Sequence, residues 1–139
     1  MKSNKRILLV ESGDHFRNIF QMNAIPNTDV VGECKTGVDA MSQYQVVKPD
    51  IIFVDMILAD MTGLEVARWI REQNKEVKII LFSMELRLEF LLAGIDSGID
   101  GYLQKNADSE TINNAIYAVA RGQFFTQRKA ETERKVNRE

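Results

Sequence analysis

The chain has one cysteine, Cys34, and one histidine, His15, among its 139 residues. An internal disulfide is excluded, and so is a zinc cluster built from cysteine and histidine. Cys34 reads as a buried thiol without a reactive role. His15 reads as a surface helix residue, because nothing around it forms a phosphotransfer helix. There is no surplus of either charge. Eighteen basic and 20 acidic side chains leave a net charge of -2, which gives no electrostatic footprint for nonspecific nucleic-acid or membrane binding. Long hydrophobic runs are missing as well. After the polar start MKSNKR comes an apolar run of only Ile7 to Val10, too short for a signal peptide or a membrane span, so a cytoplasmic location is expected. Repeats and low-complexity tracts are also lacking. What is present is an apolar share of 45%, enough for one domain with a substantial core.

Five short apolar runs recur along the chain: Ile7 to Val10, Val30 to Cys34, Ile51 to Val54, Val77 to Phe82, and Tyr102-Leu103. Between them the apolar period becomes helical, with Phe16, Ile19 and Phe20; Val38 and Met41; Leu64, Ala67 and Ile70; and Ile112, Ala115, Ile116 and Val119. Asp14, Thr62, and Asp108 or Ser109 are placed to start helices, and Gly122 to stop the last one. Strands alternating with helices imply an α/β fold: a doubly wound, five-stranded parallel sheet with helices on both faces. The fourth helix, Leu86 to about Ser97, is apolar most of the way round. It is either deeply buried or keeps an apolar patch for a partner. Residues 1–122 are expected to form the domain. Residues 123–139 read as a charged linker or tail, and deleting those beyond about Gln127 is expected to leave the melting temperature nearly unchanged.

In open α/β sheets, ligands occupy the crevice outside the carboxyl ends of the strands. The polar residues at those ends are few: Glu11 after the first strand, Asp55 after the third, Ser83 after the fourth and Lys105 after the fifth. In the flavodoxin-like order 2-1-3-4-5 these four strands are neighbours, so two carboxylates, a hydroxyl and an ammonium converge. That set suits phosphoryl transfer to a carboxylate, with Asp55 as the nucleophile. Taken singly, each residue also has an ordinary structural use, such as an ion pair, a turn or a cap.

The stretches RILLVE, DIIFVDMILADMTGLE, IILFS and SGIDGYLQK resemble the receiver domains of bacterial two-component response regulators, over residues 6 to about 122. The stretch GYLQKNADSETINNAIYAVARGQFF looks most like receivers that carry a LuxR-type helix-turn-helix domain after a linker. The resemblance implies a signalling domain, not an enzyme, that takes a phosphoryl group on Asp55 from a sensor histidine kinase and assists its own phosphorylation. Ser83 and Lys105 would contact the phosphoryl group, and Tyr102 would rotate inward on activation. The fourth helix, fifth strand and fifth helix would form the output face, with a weak homodimer expected. No nucleic acid is expected to bind this domain itself. DNA binding would belong to a C-terminal helix-turn-helix domain, which does not follow here. Mg²⁺ would be held by Glu11, Asp55 and the backbone carbonyl of Ile57.

Four departures from the family pattern accompany the resemblance. Ser12 replaces the second of two adjacent acids, so Mg²⁺ is expected to bind weakly. Ala59 replaces a proline in the loop after Asp55. Met84 follows Ser83 where alanine or glycine is usual, and should slow access to the phosphoryl path. Asn106 replaces the proline after Lys105, where a cis peptide would cost several kcal/mol unless tightly held. A receiver that has lost phosphorylation and works as a protein-interaction module is the alternative. A small flavoprotein is a poorer fit, because Ser12-Gly13-Asp14-His15 is no phosphate cradle.

Overall fold

Strands and helices alternate through residues 4–127, the part of the chain that the computed structural model describes. The strands are β1 (Lys5–Val10), β2 (Thr28–Cys34), β3 (Ile51–Asp55), β4 (Lys78–Ser83), β5 (Gly101–Gln104) and β6 (Phe125–Thr126). The helices are α1 (His15–Gln21), α2 (Gly37–Val47), α3 (Gly63–Gln73), α4 (Leu88–Ser97) and α5 (Ser109–Ala120). All strands pair in parallel in the order β2-β1-β3-β4-β5-β6. The expected five-stranded order is therefore present, with one short strand added at the β5 edge.

Every residue of β3 is buried, as a strand covered on both faces requires. Side-chain alternation divides the interior in two. Leu8, Val10, Ile52, Val54, Ile79 and Leu81 face α2, α3 and α4, where they meet Ala40, Tyr44, Val66, Ala67 and Ile70. Ile7, Leu9, Ile51, Phe53, Ile80 and Phe82 face the other way, toward Phe16 and Phe20 of α1 and Ile112, Ala115, Ile116 and Val119 of α5. The rings of Phe16 and Phe82 meet edge to face at 4.3 Å between centroids, a geometry favoured by the ring quadrupoles. Burial within the first core pushes the Cys34 thiol up to about 12, in keeping with an inert side chain.

Several expectations need correction. The buried stripe of α2 is Ala40 and Tyr44, while Val38 is exposed. Asp14 precedes α1 but makes no capping hydrogen bond, and its carboxylate lies instead 3.6 Å from Arg17. Helix α4 begins at Leu88, not Leu86, and is not deeply buried: Leu88, Leu92 and Ile95 are all at least half exposed. Its apolar side is therefore an open surface. The sheet also continues past Gly122. Phe125 N donates to Asp100 O at 3.1 Å and Gln127 N to Tyr102 O at 3.1 Å, while the Phe125 side chain packs against the α1/α5 core. The Lys105-Asn106 peptide is trans, in keeping with the cost of a cis bond before a residue other than proline. The reading of the chain beyond Gln127 falls outside the described residues.

Thr62 and Asp108 cap α3 and α5 as expected, accepting from Glu65 N at 3.2 Å and Thr111 N at 2.9 Å. Thr36 does the same for α2. Directly after Thr62, Gly63 brings α3 against the end of β3. A Cβ there would overlap the Asp55 carbonyl oxygen and approach Leu81. Because the obstacle is backbone, no rotamer change can relieve it. We expect Gly63→Ala to lower unfolding free energy by about 2–3 kcal/mol, measured by urea denaturation.

Candidate functional site

Strand β3 ends on Asp55, and the chain turns at once into a loop held from several sides. Met56 N donates to Phe82 O at 2.8 Å, Gly63 N returns to Met56 O at 2.8 Å, and Leu58 N reaches Met61 O at 3.1 Å. At the far end of the loop, Asp60 accepts from Gly37 N at 2.8 Å and Val38 N at 3.0 Å, the first amides of α2. These two N–H groups hold the Asp60 carboxyl below its ordinary pKa. The Asp60 link spans more than twenty positions and left no local signal in the sequence.

Asp55 is 2% exposed, yet its two oxygens are used unequally. Oδ2 accepts from Ser12 Oγ at 2.7 Å, Ser12 N at 3.0 Å and Lys105 Nζ at 2.8 Å. Lys105 Nζ also donates to Ser12 Oγ at 3.0 Å, closing a ring of three side chains. Oδ1 receives only the Ile57 amide, at 3.4 Å. One oxygen is held by three hydrogen bonds and the other by a single long one. The clamp fixes the carboxylate plane without consuming the second oxygen, which is what a carboxylate nucleophile needs.

The expected residues divide into two groups. Asp55 and Lys105 meet, joined by Ser12, which the sequence reading had treated only as a missing acid. Ser83 and Tyr102 form a separate relay. Ser83 Oγ donates to Glu85 O at 2.6 Å and shares a 2.7 Å hydrogen bond with the Tyr102 hydroxyl. That hydroxyl accepts from Arg87 N at 3.0 Å, at the start of α4. Tyr102 is buried, with its ring on the α3/α4 side of the sheet. The backbones of the two groups meet where Lys105 N donates to Ser83 O at 2.7 Å. Met84 projects into solvent, 73% exposed.

Glu11 also departs from expectation. Its carboxylate accepts from Phe16 N at 3.0 Å and Arg17 N at 3.2 Å, satisfying orphan amides in the first turn of α1. This is the capping task expected of Asp14. The donor set for Mg²⁺ is consequently poor. Glu11 is turned to the helix, Oδ2 of Asp55 is filled by an ammonium and a hydroxyl, and no three acidic, histidine or cysteine side chains converge among the described residues. Mg²⁺ is usually held through one or two carboxylates together with water. The residues present do not fit it as a resident ion, and the expected set of Glu11, Asp55 and the Ile57 carbonyl is not assembled.

The model of the response regulator receiver domain matches residues 7–117. The response regulator protein VraR of Staphylococcus saprophyticus is 32% identical over 88 residues, covering 63% of this chain and 42% of the relative. VraR of Staphylococcus aureus is 27% identical over 95 residues, covering 68% and 46%. The chain thus matches less than half the length of these curated relatives. Among solved structures, a LuxR-family two-component response regulator from Aurantimonas superposes with a TM-score of 0.83 at 28% identity, over 97% of this chain and 100% of the other. The signal receiver domain of the putative regulator NarL from Mycobacterium tuberculosis has a TM-score of 0.79 at 22% identity, over 88% and 100%, and shares the fold.

Proposed function

The chain belongs to the response regulator receiver domain family, and on that footing we propose that it accepts a phosphoryl group on Asp55 and relays the change to a partner surface. The observation that carries this reading is the asymmetry of Asp55, with Oδ2 fixed by Ser12 and Lys105 and Oδ1 holding only a long hydrogen bond from the Ile57 amide among the described residues. Oδ1 attacks the phosphorus of a donor, and Lys105 offsets the charge that the new phosphoryl oxygens bring. A sensor histidine kinase is the donor in the cell, and the cytoplasm is where the two meet. No helix among the described residues is long and apolar enough to cross a membrane.

The relay from Ser83 through Tyr102 to the Arg87 amide ends at α4, whose apolar side is open. We place the output there, as a weak homodimer contact through α4 and its neighbours or through α1 and α5. Sedimentation of the purified chain should give a mass that rises with concentration, and a monomer at every concentration would refute this. In a longer protein with a LuxR-type C-terminal domain, the same change would govern DNA binding.

A second reading, a phosphate-independent interaction module, is favoured by one observation: the Ser83 hydroxyl is bonded to Glu85 O and the Tyr102 hydroxyl, away from Asp55. Incubation with acetyl phosphate followed by intact-mass spectrometry decides between the two. An adduct mapped to Asp55 supports the acceptor, and its absence supports the module.

A further inference from the structure

Receiver domains in general bind Mg²⁺, and the geometry around Asp55 points to a different solution in this chain. We propose that Ser12 and Lys105 do the work of the divalent cation, so that the Asp55 centre operates without a metal. The proposal concerns the site read above as a phosphoacceptor. Its metal-binding part stands on geometry alone, and only its labelling part rests on that reading.

The position where a second acid would ligate a cation is a neutral hydroxyl, and that hydroxyl already makes two hydrogen bonds. Ser12 Oγ donates its proton to Asp55 Oδ2 at 2.7 Å and accepts one from Lys105 Nζ at 3.0 Å. One lone pair remains, but it belongs to a neutral oxygen 3.0 Å from an ammonium, a poor ligand for a hard cation. Lys105 lies 2.8 Å from Asp55 Oδ2, so the carboxylate charge is already matched by one ammonium. A divalent ion on Oδ1 would face that ammonium across a single carboxylate, without the second acid that usually offsets the repulsion. Glu11 does not supply it, because its oxygens hold the Phe16 and Arg17 amides. The three donors on Oδ2 also do what a cation would do for geometry: they fix the plane of the carboxylate and leave Oδ1 as the reacting atom.

The covalent step then balances without a metal. Asp55 Oδ1 forms a bond to the phosphorus of acetyl phosphate, the bond from phosphorus to the acetyl oxygen breaks, and its electron pair leaves with acetate. No proton need move. Ser12 acts as a positioning residue in this step, and Lys105 supplies the positive charge.

Mn²⁺, followed through the electron paramagnetic resonance signal of the free ion, is the probe for the whole chain. The unaltered protein should show no saturable, Asp55-dependent binding in the millimolar range. Ser12→Asp should bind at least about tenfold more tightly, because affinity for a hard cation rises with the number of anionic oxygens. That gain should vanish in the double variant with Asp55→Asn. Millimolar or tighter binding by the unaltered protein, lost in Asp55→Asn, would overturn the proposal, and so would a folded Ser12→Asp with no gain. If Ser12→Asp does not fold, the unaltered protein decides: its labelling by acetyl phosphate should be as fast in EDTA as in excess Mg²⁺. A rate about tenfold slower in EDTA would refute the metal-free centre. Failure of labelling in both buffers would sink the phosphoacceptor reading instead, and the Mn²⁺ titration would still judge this one.

Discussion

We expect acetyl phosphate to leave a phosphoryl adduct on the protein and Asp55→Asn to abolish it, with the chain still folded. The amide has the shape of the carboxylate and can accept from Ser12 and Lys105 through its oxygen, so the ring around position 55 keeps its hydrogen bonds. What it loses is the anionic oxygen that attacks phosphorus, and an amide is no substitute for that nucleophile. The charge of Lys105 also loses its partner. Removing one member of a fully buried pair costs about 3–5 kcal/mol, but Lys105 is 22% exposed and can turn to water, so about 1–2 kcal/mol is expected here. Intact-mass spectrometry and a thermal melt on the same sample separate the two effects. An adduct that persists in Asp55→Asn would move the phosphoacceptor to another residue.

The largest loss of stability from a residue outside the site is expected at Arg71. Its guanidinium donates to Gly98 O through Nε at 3.0 Å and Nη2 at 2.8 Å, to Asn74 O at 3.1 Å and Val77 O at 2.7 Å, and pairs with Asp100 Oδ2 at 2.7 Å. One side chain thus ties the end of α3, the approach to β4 and the turn after α4. Asp100 in turn accepts from Ile79 N at 2.8 Å, so its charge stays in place when the arginine goes. Both partners are largely shielded, at 17% and 28% exposure. We expect Arg71→Ala to cost about 3 kcal/mol, or roughly 10 °C in melting temperature by circular dichroism. Lysine should restore only part of this, because a point charge cannot reproduce the planar fork. A melting temperature unchanged by Arg71→Ala would mean that water replaces the network at no cost.

Arg71 also marks where the sequence stops being legible. The strands were readable because β1, β3 and β4 are apolar on both faces, and that is a local property of four to six residues. Asp55, Ser83 and Lys105 were readable because parallel strands must end on the same edge. The role of Ser12 could have been inferred by the same logic, since it follows Glu11 at that edge, but it was weighed as an absent acid and not as a hydroxyl. The carbonyl partners of Arg71, the carbonyl of Glu85 and the amide of Arg87 carry no side-chain signature. Asp14 and Glu11 exchange expectations: the strand-end carboxylate, and not the acid beside the helix, accepts from the first amides of α1. β6 was missed because two residues have no period, and its bonds belong to the backbone.

That two-residue strand gives the domain a mechanical polarity. Phe125 and Gln127 are fastened to the backbone of Asp100 and Tyr102, and the Gln127 side chain accepts from Gln104 N at 2.7 Å. Because β6 runs parallel to β5, tension applied beyond Gln127 along the strand direction loads these bonds together, as shear, and does not peel them one at a time. The first element to feel such a pull is the strand that carries Tyr102, whose hydroxyl is bonded to Ser83 and to the start of α4. A load on the C-terminal side therefore enters the molecule at the residue that joins the carboxyl-end crevice of the sheet to the α4 surface.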